Sequence, residues 1–171
     1  MSDLDSRLSA QETEANRRLY LLAGIATALL AVAAVVIFVY PPPDALQGNV
    51  QRIFYVHVSS VVAAYGCFAL VVVGGAAYLW KGSQWADRLA RAGAIVGLPL
   101  TTTCIVMGII WAQPVWNWNP AESWDARFTS TVALWAIYAG YLLIRKFAPQ
   151  GHAAARLSAV VGIIGFIDVP V

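Results

Sequence analysis

One short stretch of the chain concentrates side chains that could bind a large ligand. Residues 111–127 hold four of the seven tryptophans, namely Trp111, Trp116, Trp118 and Trp124. One tryptophan near a membrane surface is ordinary, because its ring is apolar and its N–H is polar. Four in one stretch, beside Asp125 and Arg127, predict a flat aromatic platform with charged edges. Such a surface suits a large planar ligand.

A second candidate group is His57, which lies one turn into a predicted helix, five positions after Arg52. A metalloporphyrin needs a neutral nitrogen for its iron, an aromatic or apolar surface for its ring, and cations for its two propionates. His57 is the candidate iron ligand, the tryptophans are the candidate surface, and Arg52 and Arg127 are the candidate cations. The alternative is that His57 packs between helices and the tryptophans form an aromatic belt.

The composition indicates the class of protein. The 171 residues are 60% hydrophobic and only 12% charged, which is too apolar for an ordinary soluble domain. The formal net charge of +2 does not indicate a nucleic-acid partner. Cys67 and Cys104 lie inside apolar runs, so both are predicted to pack as small apolar residues. We predict a polytopic protein whose surroundings are the lipid bilayer.

The apolar runs predict an all-α membrane helix bundle. Leu19–Tyr40 has 22 residues and no charge, enough to cross a hydrocarbon core of ~30 Å. The next three predicted spans cover residues from about 53 to 80, 92 to 111 and 126 to 144. The last apolar stretch, Leu157–Val171, has 15 residues and is too short to span comfortably. We expect four full spans and a partial fifth, in a C-terminally truncated chain.

The distribution of charge predicts how the chain lies in the membrane. Residues 1–18 form a polar tail, and residues 19–171 form a single transmembrane domain with a Trp-rich loop at about 112–125. Nine of the eleven Lys and Arg residues fall in the tail and in the second-to-third and fourth-to-fifth connections. By the positive-inside rule these segments are cytoplasmic. The Trp-rich loop and His57 are therefore predicted at the outer face of the cytoplasmic membrane.

Local signals predict where the fourth helix begins. Asn119 is followed by a proline and, three positions on, by a glutamate, which resembles a helix start with its N-cap. This start would place Trp124 and Trp135 on one stripe of the helix. Asp125 is a candidate for orienting a ligand, but it is predicted first to cap the helix or to pair with Arg127.

Three further predictions concern the other connections. The charged residues 81–91 are predicted to form a loop between the second and third spans. Pro99 and the three threonines that follow it predict a local kink, with hydroxyl groups bonding freed carbonyls. His152, the only other histidine, lies in an inner loop and is predicted to be solvated. It cannot meet His57 across a bilayer, which excludes a transmembrane paired-histidine cytochrome site.

These motifs resemble the haem-handling membrane proteins of cytochrome c maturation named for a tryptophan-rich outer loop, and most closely the haem exporter protein C (CcmC) family. Residues 51–58 resemble that family's second-helix start with its outer haem-ligand histidine. Residues 108–116 and 124–130 resemble the Trp-rich loop and the start of the fourth helix, and residues 168–171 resemble the fifth helix before a second outer histidine. The resemblance covers roughly residues 20–171, departing where the loop has fewer tryptophans and where the chain stops before a sixth helix.

The resemblance implies a haem-delivery role rather than an enzymatic reaction. Haem b would be cargo, held at the outer face with His57 as one axial ligand and the Trp-rich loop as platform. A membrane-anchored haem chaperone would take the haem, and ABC transporter subunits would supply any ATP hydrolysis, since the sequence shows no nucleotide-binding motif.

Two other functions remain open from the sequence. One is a component of a synthase that attaches haem to apocytochrome c, although such proteins carry additional histidines and a larger outer domain. The other is a structural or small-solute transport subunit in which the aromatic residues form a belt. Purified protein without a Soret band, unchanged by His57→Ala, would favour the latter.

Overall fold

A computed structural model describes residues 2–119, 125–149 and 151–169, with side chains from residue 10 onward. The described chain is helical. Its five helices are α1 (Ser2–Phe38), α2 (Gln51–Lys81), α3 (Gln84–Trp116), α4 (Ala126–Phe147) and α5 (His152–Phe166). The chain divides into two units, Met1–Pro42 and Pro43–Val171.

Four helices are long and apolar enough to cross a membrane: Ala10–Phe38, Gln51–Lys81, Gln84–Trp116 and Ala126–Phe147. The fifth helix, His152–Phe166, is shorter, with 15 residues. The prediction of an all-α polytopic membrane helix bundle with four full spans and a partial fifth is therefore confirmed.

The first unit contains one long helix, α1. Residues 2–18 of the predicted tail are helical, since α1 is continuous from Ser2 to Phe38. Within it Arg18 Nε donates to Glu14 Oε1 at 3.1 Å, one turn away. Farther along, the Thr27 hydroxyl donates to the Ala23 carbonyl at 2.9 Å, which keeps its polar group satisfied inside an apolar helix.

In the second unit, α2 and α3 pack through small residues. A Cβ atom built on Gly74 would lie 2.6 Å from the Ala86 carbonyl oxygen, and one on Gly93 would lie 2.6 Å from the Cys67 carbonyl oxygen. Glycine therefore allows the two backbones to approach closely at both points. Small residues at helix contacts are the usual solution in membranes, where association depends on van der Waals packing.

Changing Gly93 to alanine is expected to destabilise the second unit. The new methyl group would meet backbone, which cannot rotate away, and overpacking of this kind costs about 1–3 kcal/mol in the free energy of unfolding. SDS-induced unfolding from mixed micelles would measure the change. Gly140→Ala is the control, since nothing lies within 4 Å of a Cβ at Gly140. Equal stability of the two variants would contradict the packing described.

Aromatic side chains join α4 and α5 to this pair. The Tyr138 ring of α4 stacks on the Phe68 ring of α2, with centroids 3.7 Å apart and planes within 5°. The buried Tyr138 hydroxyl donates to the Gly162 carbonyl of α5 at 2.9 Å. Trp135, one turn before Tyr138, donates its indole N–H to the Thr102 hydroxyl of α3 at 2.9 Å. These contacts fix the four helices around one core.

The prediction of a loop over residues 81–91 is wrong. Gly82, in the left-handed conformation, ends α2, and the Ser83 side chain caps α3 by accepting from the Ala86 N–H. The connection is therefore two residues long. The polar residues that follow stay helical because Ala86 and Ala90 on the opposite face are buried against α2 and α5, so their charged neighbours form a helix surface.

The end of α3 and the start of α4 also differ from expectation. The third helix continues to Trp116, beyond the predicted end at residue 111, and Asn117 closes it in the left-handed conformation. Proline at position 114 is tolerated, because its missing N–H costs one bond near a helix end. The fourth helix begins at Ala126 behind the extended Asp125, so Asn119 does not cap it. Residues 120–124 lie outside the described residues.

The three threonines after Pro99 do not bond the carbonyl that this proline frees. In a helix that carbonyl belongs to residue 95, four positions earlier. The Thr101, Thr102 and Thr103 hydroxyls instead donate to the carbonyls of residues 97, 98 and 99, each four positions back. Their hydroxyls are satisfied within α3, as is usual for threonine inside membrane helices.

Candidate functional site

One cavity of about 460 Å³ gathers most of the candidate residues. It lies in the second unit, between the first third of α2, the last third of α3 and the first turns of α4. Typical small-molecule pockets have volumes of roughly 300–1,000 Å³. Six predicted site residues line it: His57, Trp111, Trp116, Trp118, Asp125 and Arg127. We call it the His57 cavity.

The imidazole of His57 is fixed by the backbone of the neighbouring helix. Its Nδ1 lies 2.9 Å from the carbonyl oxygen of Cys104 on α3. A carbonyl can only accept, so this contact is a hydrogen bond when Nδ1 carries the proton. The neutral ring then has its lone pair on Nε2. Metal-binding histidines commonly donate their other N–H to a carbonyl in this way, which fixes the tautomer and ring orientation.

Gly108 makes this approach possible. A Cβ atom built on it would lie 2.9 Å from His57 Cε1 and 3.1 Å from His57 Nδ1. Any larger side chain would therefore displace the ring. Cys104 and Gly108 are one turn apart on α3, so the same face of that helix supplies both the acceptor and the space.

Trp111 forms the wall behind the histidine. It is buried, and its ring is nearly parallel to that of His57, with centroids 6.4 Å apart and an angle of 15°. The Phe54 ring also packs against Trp111, with ring centroids 5.0 Å apart. The indole N–H donates to Gln47 Oε1 at 2.9 Å. Trp111 is thus held by packing and by one hydrogen bond from the segment before α2.

The turn that carries Gln47 is built by Asp44. The Asp44 carboxylate accepts from the backbone N–H groups of Gln47 and Leu46, at 2.8 and 2.9 Å. These two bonds, that from Gln47 first, lower the pKa of Asp44 below its ordinary value. Gly48, at φ 58°, closes the turn in the left-handed region and exchanges two backbone bonds with Asp44. The turn aligns Gln47 with Trp111.

The other described tryptophans, Trp116 and Trp118, each meet a neighbouring aromatic ring at a steep angle. Trp116 meets Trp111 edge to face, with centroids 4.6 Å apart and an angle of 72°. Trp118 meets Phe128 of α4 at 5.0 Å and 68°. The described rings therefore do not form the predicted flat platform; they form walls. The helical extension of α3 through Trp116 is the reason, because helical residues project at different angles.

The charged candidates divide between the cavity and its surroundings. Asp125 accepts from the Phe128 N–H at 2.8 Å, which confirms the predicted helix cap, and it lies at the cavity with Arg127. Arg52 is half-buried at the start of α2 and is not among the lining residues. Trp124 lies outside the described residues, so the structure does not place it.

Three buried polar atoms at this end of the bundle have no hydrogen-bond partner within the described part of the chain. They are Gln51 Oε1, Trp118 Nε1 and Asp168 Oδ2. A buried polar atom without a partner costs free energy, so each is a place where a bound molecule could supply the missing bond. Of the three, Trp118 lines the His57 cavity itself.

Sequence reasoning missed the groups that support the histidine. Gln47, Phe54, the Cys104 carbonyl and Gly108 were not predicted as site residues. The prediction that Cys104 packs is confirmed by its burial, but a backbone carbonyl leaves no signal in residue type. Gly108 is a visible break in an apolar run, and such a glycine can indicate a close approach.

His152 lies at the opposite end of the bundle. It is the first residue of α5 rather than part of a loop, and its ring is exposed. Its Nδ1 lies 3.0 Å from the Tyr78 hydroxyl of α2. Tyr78 follows His57 by 21 positions on that helix, roughly 30 Å along the axis. The two histidines are therefore far apart, as predicted, although His152 is hydrogen-bonded as well as solvated.

Comparison with known proteins identifies the family of this chain. Residues 7–171 match the family model described as Heme exporter protein C. The Heme exporter protein C of Escherichia coli (strain K12) is 30% identical over 164 residues, 90% of this chain and 65% of the relative. The Heme exporter protein C of Haemophilus influenzae is 29% identical over 154 residues, which cover 88% of this chain and 61% of the relative. The Heme exporter protein C of Paracoccus denitrificans is 29% identical over 128 residues, which cover 74% of this chain and 52% of the relative.

The match extends over all five helices of this chain, since it begins within α1 and continues past α5. The chain spans between 52% and 65% of the length of these three curated relatives. The sequence and the helical architecture agree: this chain belongs to the Heme exporter protein C family.

Proposed function

We propose that this chain binds haem in the His57 cavity, at the outer face of the cytoplasmic membrane, and presents it to a membrane-anchored haem chaperone during cytochrome c maturation. One observation carries the proposal furthest: the bond between His57 Nδ1 and the Cys104 carbonyl. It leaves Nε2 as the nitrogen with the lone pair, which is the ligand that haem iron takes from histidine.

The cavity walls suit a porphyrin in their chemistry. Trp111, Trp116, Trp118 and Phe128 offer aromatic surface on several sides. Aromatic side chains bind large apolar rings by stacked or edge-to-face contact. In this proposal Trp118 also supplies an indole N–H without a partner among the described residues, and Trp124 belongs to the same loop. Asp125 holds the first turn of α4 in place, and so holds Arg127.

Delivery rather than catalysis is the proposed role. The names of the relatives describe a haem exporter, and the candidate groups bind and orient a ligand. We propose haem b as the cargo and ABC transporter subunits as the partners that hydrolyse ATP. In this proposal the chaperone takes the haem at the His57 cavity, whose lining comes mainly from α2, α3 and α4.

The test is haem binding followed by haem transfer. Detergent-purified chain is titrated with haem, and the visible spectrum is recorded. It is then mixed with a purified haem chaperone of cytochrome c maturation, and the two proteins are separated. Haem that leaves this chain and appears covalently on the chaperone would support the proposal. A Soret band that never develops, or haem that moves equally to serum albumin and not to the chaperone, would contradict it.

The two arginines are expected to affect affinity rather than the iron spectrum. Propionates carry negative charge, and a charge-assisted bond to guanidinium stabilises them. Arg127→Gln should weaken haem binding about tenfold. Arg52→Gln should weaken it by less, because Arg127 lines the cavity and Arg52 does not. Spectral titration measures both affinity and band positions.

Lys146→Gln is the matched control for the two arginines, because Lys146 lies in the last turn of α4, at the opposite end of the bundle. It should bind haem as the unchanged chain does. A shifted Soret maximum in either arginine variant would show that the arginine acts on the iron ligands instead of on the propionates.

A further inference from the structure

The opposite end of the bundle contains a second cavity, of about 330 Å³. The end of α2, the start of α3, the end of α4 and the start of α5 meet there. Its lining is rich in basic side chains, with Arg88 and Arg91 from α3, Arg145 from α4 and His152 from α5. We call it the arginine cavity. Neither the proposed haem-binding role nor the family name accounts for it.

The single carboxylate in the lining of this cavity is already paired. Arg145 Nη2 donates to Asp87 Oδ2 at 2.6 Å, and their side chains are only 12% and 18% exposed. This pair ties α4 to α3 and neutralises one arginine. The lining therefore keeps the two positive charges of Arg88 and Arg91, and it contains no further carboxylate to neutralise them.

Arg88 and Arg91 lie one turn apart on the same face of α3. Like charges at this spacing repel each other, so a bound anion between them would stabilise the helix. Arg88 Nε donates a hydrogen bond to the Gln84 carbonyl at 3.4 Å. The terminal amino groups of its guanidinium can therefore donate to another acceptor. Paired guanidinium groups suit the oxygen geometry of phosphate particularly well.

Exposed aromatic residues place this cavity at a membrane surface. Trp80, Trp85 and Phe147 flank it on three helix ends, and all three are exposed. Lys81 Nζ lies 5.1 Å from the Trp80 ring centroid, and Lys146 Nζ lies 5.2 Å from that of Phe147. Tryptophan and lysine at helix ends are typical of the headgroup layer of a bilayer. At this depth the headgroup of a lipid can supply a phosphate.

We propose that the arginine cavity binds a phosphate group, supplied by the headgroup of an anionic phospholipid, through Arg88 and Arg91. Basic pockets between membrane helices bind such headgroups in other proteins. His152 adds a donor when the Tyr78 hydroxyl donates to its Nδ1, since Nε2 then carries the proton. The first turn of α5 lines the same cavity, and its N-cap, Gly151, provides no side-chain bond.

The experiment measures thermal unfolding of the 171-residue chain in neutral detergent. Short-chain phosphatidylglycerol, short-chain phosphatidylcholine and sodium phosphate are added separately at equal ionic strength. Phosphatidylglycerol at about ten times its dissociation constant should raise the unfolding temperature by roughly 3–5 °C. The rise should disappear in Arg88→Gln/Arg91→Gln and persist in Arg156→Gln, a control that removes an exposed arginine of α5 outside the cavity lining.

Each other outcome has a definite meaning. An equal rise with sodium phosphate would overturn the lipid source while supporting the phosphate site. If Arg156→Gln abolishes the rise in unfolding temperature as fully as the double variant does, the proposed site is wrong. The absence of a rise with any anion would also overturn the site. Arg88 and Arg91 are exposed, so circular dichroism should show an unchanged helix content; if the double variant does not fold, the single variant Arg91→Gln replaces it. Haem is absent throughout, so the result is independent of the proposed haem binding.

Discussion

Replacing His57 with alanine is expected to abolish haem retention by the purified chain. The substitution removes Nε2, the nitrogen proposed to ligate iron, while the Cys104 carbonyl that oriented the ring loses its partner. Loss of an outer-shell partner of a metal ligand usually costs roughly 10–100-fold in affinity, and loss of the ligand itself should cost more. The Soret band of chain reconstituted with haem, before and after gel filtration, measures retention.

The control for this prediction is His152→Ala. His152 bonds Tyr78 at the other end of the bundle, so its removal should leave haem retention unchanged. If the two variants retain haem equally, haem does not depend on the His57 cavity. Adding imidazole to the His57→Ala protein gives a second reading, because the free ligand can enter the space that the side chain vacates and restore the band.

Changing Gly108 to alanine is expected to weaken haem binding about 10–100-fold while leaving the helices folded. The new methyl carbon would lie 2.9 Å from His57 Cε1 and 3.1 Å from Nδ1. These atoms belong to the end of a side chain, which can move where backbone cannot. The ring should therefore turn away from α3, lengthen or lose its bond to the Cys104 carbonyl, and present iron with a misplaced nitrogen.

Gly66→Ala is the matched control, since Gly66 lies on α2 and nothing lies within 4 Å of a Cβ there. It should bind haem normally and unfold no earlier than the unchanged chain. The Gly108→Ala protein should show the same helical circular dichroism but an altered Soret maximum. Unaltered affinity and spectrum would show that the orientation of His57 is set by something other than this contact.

The sequence alone determined the class of protein and most of the candidate site. A long continuous run of apolar residues in a bilayer favours a helix, because a helix satisfies every backbone N–H and C=O within its own segment. That constraint made the existence of the four spans predictable, and it placed the ends of the second and fourth within three residues of those in the structure. The unusual density of tryptophan, together with His57, pointed to one region of the fold, and six of the eight predicted site residues line one cavity there.

Helix ends were harder to predict, for a local reason. Residues 84–91 are polar enough to read as a loop, yet a serine cap and buried alanines hold them in α3. In the same way α3 passes through Pro114 to Trp116, which moves Trp116 from the predicted loop onto a helix. Caps and packing outweigh composition at such boundaries, because propensity is a weak local preference.

Tertiary structure alone decided which partners each site residue has. The tautomer of His57 depends on a carbonyl 47 positions away, and Trp111 is fixed by Gln47, 64 positions away. The steep angles of Trp116 to Trp111 and of Trp118 to Phe128 depend on how α3 ends and where α4 begins. No residue type encodes these pairings, since a backbone carbonyl looks the same at every position, and only the packing of α2 against α3 brings it to the imidazole.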